Sequence, residues 1–120
     1  MDNARSDYDS PWKEIIELYF RVFMQFFFPQ TETEIAWERG YEFLDKELQQ
    51  VVRDSESGRR YADKLVKVWR ASGEETWVMV HIEIQGEAET AFSQRMFTYN
   101  YRLRDRYQRF VTSLAILGDE

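Results

Sequence analysis

Asp63 and Glu83 are the residues of this sequence whose types and spacing could do chemistry, and that chemistry belongs to a hard cation. They lie in two strand-like runs, 61–70 and 76–85, separated by a segment containing Gly73. A hairpin closed by the short loop Ser72-Gly73-Glu74 sets Asp63 opposite Glu83 and Trp69 opposite Trp77. Side chains alternate along a strand, so Leu65, Met79, His81 and Gln85 share the carboxylate face, while Val66, Val68, Val78, Val80, Ile82 and Ile84 fill the other. Two carboxylates brought together on an apolar face repel, and a divalent ion such as Mg²⁺ (or Mn²⁺) relieves the repulsion. The ion could also polarise a phosphodiester and lower the pKa of its bound water. Asp63 and Glu83 are the expected metal ligands, with the Ile84 backbone carbonyl as a further one. Gln85 is placed to orient the attacking water or to coordinate through its amide oxygen.

The elements that must position these residues can be read from periodicity. Ser10-Pro11 reads as an N-cap and first helical position, so a helix is expected over 11–27, stopped by Pro29. Ile15, Tyr19, Val22 and Phe26 recur at helical spacing, flanked by Ile16, Phe20, Phe23 and Phe27, giving a wide apolar face expected to pack on a sheet. Glu14, Glu17, Arg21 and Gln25 form the polar stripe, with Glu17 and Arg21 in reach of an i,i+4 pair. A short helix is expected within 30–46 and a first strand over 48–53. Segment 54–58 reads as a loop.

Beyond the hairpin, Phe92, Met96, Tyr99, Leu103 and Tyr107 predict an amphipathic helix over 89–107. The apolar run 110–117 predicts a strand which, reached through a helix, pairs parallel to its predecessor. The expected fold is thus α/β (α+β), with a mixed four-stranded sheet in the order helix, strand, strand, strand, helix, strand, and helices on both faces.

Composition sets the outer bounds. A chain of 120 residues, 43% hydrophobic and 17% aromatic, suffices for one domain around one core. No cysteine is present, which removes thiolate zinc sites and cysteine nucleophiles and suits the reducing cytoplasm. The sequence offers no signal peptide and no membrane-spanning run. The net charge of −6 is unevenly spread. Residues 1–58 carry 6 basic and 13 acidic groups, whereas residues 59–109 carry 10 basic and 7 acidic, so a local basic surface could still meet a phosphate backbone.

With Ala62-Asp63 and Glu83-Ile84-Gln85 in this order of elements, the chain resembles the restriction-endonuclease-like PD-(D/E)XK nuclease core. More narrowly, Asp9-Ser10-Pro11-Trp12-Lys13, Tyr41-Glu42-Phe43-Leu44-Asp45-Lys46-Glu47-Leu48, His81-Ile82-Glu83-Ile84-Gln85, Arg95-Met96-Phe97 and Tyr99-Asn100-Tyr101 resemble the YhgA-like, recombination-promoting nuclease group, whose members are labelled transposases. The resemblance implies Mg²⁺-dependent DNA cleavage with Asp63 and Glu83 as ligands and Gln85 in the place of the usual lysine. It also implies the N-terminal core of a longer protein, with DNA as partner; a homo-oligomer is left open, since the sequence does not give the oligomeric state. Ala62 stands where the family name has proline. Gln85 can orient water but cannot neutralise developing charge. Arg95, near the start of the second helix, is the expected substitute cation, with Arg102 and Arg106 as phosphate contacts. The alternative is a catalytically silent relative that binds DNA or protein.

Overall fold

The two runs that carry the candidate carboxylates form the centre of the sheet. The structure is a computed structural model and describes residues 3–52, 61–84 and 89–118. Strands β2 (Tyr61–Trp69) and β3 (Glu75–Ile84) pair antiparallel, β1 (Glu42–Phe43) adds antiparallel to β2, and β4 (Val111–Gly118) adds parallel to β3. The result is a mixed four-stranded sheet in the order β1-β2-β3-β4. Helices α1 (Asn3–Leu18), α2 (Phe20–Phe27) and α3 (Pro29–Glu34) precede it, α4 (Asp45–Gln49) lies between β1 and β2, and α5 (Glu89–Tyr107) links β3 to β4. The α+β class and the mixed four-stranded sheet are as expected, but a break at Tyr19 divides the expected helix over 11–27 into α1 and α2, and α4 separates the first two strands.

The alternating pattern assigns the faces correctly. Ala62, Val66, Val68, Val78, Val80 and Ile82 pack with Ile16, Phe20, Phe23 and Met24 of α1 and α2. On the opposite face Leu65, Trp77 and Met79 pack with Leu44, Leu48 and Val51 around α4, and with Tyr99 and Leu103 of α5. Both faces are therefore covered, as a sheet apolar on both sides requires.

The hairpin register differs from expectation by two residues. Asp63 pairs with His81 and Glu83 with Tyr61, while Trp69 pairs with Glu75 and Lys67 with Trp77. The cause is the turn. Arg70 N donates to Glu74 O and Gly73 N to Arg70 O, both at 2.8 Å, so the loop is Ala71-Ser72-Gly73. Gly73, at φ +98°, is the left-handed residue that closes a three-residue loop and does not sit in its middle. A shift of two preserves the side-chain period, so the partners change and the faces do not.

Three further expectations are corrected. No strand forms at 48–52; Leu44, Leu48 and Val51 recur at i, i+4 and i+7, and α4 with the turn after it buries them together. Arg53 lies outside the described residues. The first helix does not start at Ser10-Pro11 but at Asn3, with Pro11 in its interior, where a proline costs one backbone hydrogen bond and strains the turn before it while the helix continues on both sides. Finally, Ile15, Tyr19, Val22 and Phe26 face solvent while Ile16, Phe20, Phe23 and Met24 face the sheet. The two rows are adjacent and equally apolar, so periodicity alone does not choose between them. Phe28, pushed to ψ 63° before Pro29, separates α2 from α3.

Candidate functional site

Asp63 sits near the start of β2, and the sheet places His81 of β3 directly opposite. Above them Arg95 reaches down from the first half of α5. Arg95 Nη2 donates to Asp63 Oδ2 at 2.7 Å, and His81 Nδ1 lies 3.1 Å from Oδ1. The cluster is closed to water: the side chains of Asp63 and Arg95 are each 9% exposed and that of His81 is 0%. Tyr99, one turn beyond Arg95 on α5, aligns both partners, with its ring 4.7 Å from the guanidinium and stacked 6.5 Å from the imidazole.

Burial pushes the Asp63 carboxyl up, but the hydrogen bond and charge of His81, with the charge and hydrogen bond of Arg95, more than reverse it. The carboxyl is held below the ordinary aspartate value and stays ionised. His81 Nε2 is buried and meets no hydrogen-bond partner among the described residues.

Of the residues singled out from the sequence, the structure brings Asp63 and Arg95 together. It also puts the backbone of Glu83 two positions along β3 from His81, paired with Tyr61 and Leu117. Ile84 pairs with Gly118 at the end of the same strand. The side chains of Glu83 and Ile84, and the whole of Gln85, lie outside the described residues. A carboxylate oxygen suits a hard divalent ion, but Asp63 already meets the Arg95 guanidinium and the His81 imidazole, so an ion bound there would have to share or displace those partners. Among the described residues no group of three or more His, Cys, Asp or Glu side chains could hold a metal.

Arg102 and Arg106 lie about 10 Å or more along α5 from Arg95, at 1.5 Å per residue. Arg102 Nη1 donates to Val51 O at 2.7 Å and Arg106 Nη2 to Gln50 Oε1 at 3.3 Å, so both tie α5 to the end of α4. They border a groove of about 320 Å³ with Tyr101 and Asp105. An arginine donates through five N–H groups, so a phosphate contact is compatible with these bonds. Beside the groove, Phe97 and Tyr101 are exposed, their rings within 15° of parallel.

Two features escaped the sequence reading. His81 shares the face of Asp63 in the alternating pattern, but the two-residue register error hid that it faces the carboxylate directly. Lys64, on the opposite face of β2, is buried and bonded to Glu17 of α1 and to Asp45 Oδ1 (2.8 Å). Its signal was a lysine in phase with Ala62, Val66 and Val68. Consequently Glu17 does not pair with Arg21, which instead holds Glu32 at 3.2 Å. No helix among the described residues is long and apolar enough to cross a membrane. Comparison with known proteins finds no family model, no curated protein and no solved structure that matches this chain.

Proposed function

We propose that this chain is a cytoplasmic DNA-acting domain of the PD-(D/E)XK type, akin to the YhgA-like transposase group, that hydrolyses phosphodiester bonds. The observation that carries the reading is the buried, ionised Asp63 on β2, with Arg95 against it and Glu83 on the adjacent strand of a mixed α+β sheet. Asp63, Glu83 and the Ile84 carbonyl would hold Mg²⁺, which when bound supplies Lewis-acid stabilisation and a more acidic water. Gln85 would position that water. Arg95 brings to the site the positive charge that Gln85 lacks, and α5 carries the means to reach DNA. It holds four arginines, Arg95, Arg102, Arg104 and Arg106, against Glu89 and Asp105, in a chain of net charge −6.

A plasmid-nicking assay in Mg²⁺ tests the reading. Asp63→Asn and Glu83→Gln should each lower the rate by about 100-fold or more, with circular dichroism confirming the fold. Wild-type nicking by either variant would sink it.

A second reading, a silent relative that binds DNA or protein without cutting, is favoured by one feature. Both Asp63 oxygens are already engaged, by Arg95 and by His81. DNA retarded on a gel by the wild type, with no nicking in Mg²⁺ or Mn²⁺, would select it.

A further inference from the structure

The two edges of the sheet are built differently. On the β1 side the edge is brief and capped. β1 is two residues long, and beside it Leu44 N donates to Leu65 O, Ala36 N donates to Trp69 O, and Ile35 bridges Arg70. On the other side β4 runs for eight residues and, among the described residues, is paired with β3 alone. Side-chain donors from α5 reach its beginning: Asn100 bonds Val111 O and Ser113 Oγ, and Arg104 bonds Val111 O. Further along, Ala115 and Leu117 are exposed.

The sequence Val-Thr-Ser-Leu-Ala-Ile-Leu-Gly contains no charge and no proline, the two simplest devices that stop an edge from accepting another strand. A neutral edge of this length presents a row of backbone N–H and C=O groups whose natural complement is a further strand.

We propose that β4 pairs antiparallel with β4 of a second copy of this chain, across a two-fold axis normal to the sheet, joining two four-stranded sheets into one of eight. A strand without charge is complementary to itself, and a two-fold rotation makes the pairing isologous and closed. The rotation keeps the α1–α2 layers of both copies on one side of the joined sheet and the α4–α5 layers on the other. The flanking sequence favours the same orientation. In sequence a basic residue, Arg109, which also holds Glu75 at 3.2 Å, precedes the strand and acidic Asp119-Glu120 follow it, a polarity that suits antiparallel and not parallel pairing. This inference uses none of the chemistry of the proposed function and stands apart from it.

The absence of cysteine makes the test clean. In registers that preserve the two layers, Leu114 or Ala115 falls on the axis, and facing Cβ atoms about 4.5–5.5 Å apart are close enough for a disulfide after small adjustment. Light scattering at concentrations up to about 100 µM should give twice the chain mass of 14.6 kDa. Oxidised Leu114→Cys or Ala115→Cys should run as a cross-linked dimer, and Gln49→Cys on exposed α4 should not. Ala115→Lys, at an exposed position that leaves the core alone, should raise the dissociation constant at least about tenfold by juxtaposing like charges at the seam. A monomer at every concentration, or a dimer that Ala115→Lys leaves intact, would overturn the proposal.

Discussion

Asp63 and Lys64 are neighbours on β2, carry opposite charges, point to opposite faces and are both buried, yet their surroundings differ. Asp63 is met by partners that are themselves buried, Arg95 and His81. Lys64, 4% exposed, is met by Glu17 and Asp45, whose side chains are 44% and 54% exposed. The first cluster is enclosed, so each charge depends on the others for all the stabilisation that water would have given. The second hands its charge outward to groups that water already solvates, while the Phe43 ring, 5.0 Å away, covers the ammonium. One face of the strand thus holds a charge under protein control, which a reactive site needs. The other uses a charge to fasten α1 and α4 to the sheet.

Removing one partner from the enclosed cluster should have the largest effect. Arg95→Ala leaves Asp63 buried and short of its ion pair, and should lower unfolding free energy by about 3–5 kcal/mol in urea titration. Combining it with Asp63→Leu should recover most of that loss. Acid comes next. Because Asp63 is held below its ordinary value, the unfolded chain takes up the proton first, so the stability contributed by this group is complete above about pH 4 and is lost as pH falls further. Asp63→Asn should flatten the dependence of the thermal midpoint on pH below that value, while lowering the midpoint itself at neutrality, where the stabilisation by the ionised carboxylate is lost. Lys64→Met should be much milder, about 1 kcal/mol or less in either direction, since its carboxylates regain water and a buried ammonium is no longer desolvated. Glu17→Gln, which leaves Asp45 on Lys64, should cost only about 0.5 kcal/mol. A loss from Lys64→Met as large as that from Arg95→Ala would erase the distinction between the clusters.

Much of this arrangement was legible in the sequence, and the misses have physical causes. α5 occupies the expected span with Phe92, Tyr99 and Leu103 inside, because its apolar period is unambiguous. The faces of β2 and β3 followed from alternation, and β4 is parallel because a helix leads to it. The pairing of Asp63 was misread because a glycine near a turn marks the left-handed residue without saying whether it is central or last. Phe26 and Phe23 are chemically identical, so which of them is covered depends on how α2 lies against the sheet, and here Phe26 is 77% exposed. The expectation of a cation beside Asp63 rests on Gln85 standing in the place of a lysine, and Arg95 is bonded to that carboxylate. Lys64 was overlooked because a charged residue in an apolar phase reads as an interruption until its partners, Glu17 and Asp45, are seen to come from distant segments.

The most direct test of the proposed site is a calorimetric titration of Mn²⁺ into the wild type and into Asp63→Asn at neutral pH. The account predicts saturable uptake by the wild type that the variant loses. No uptake by the wild type, or equal uptake by both, would contradict it.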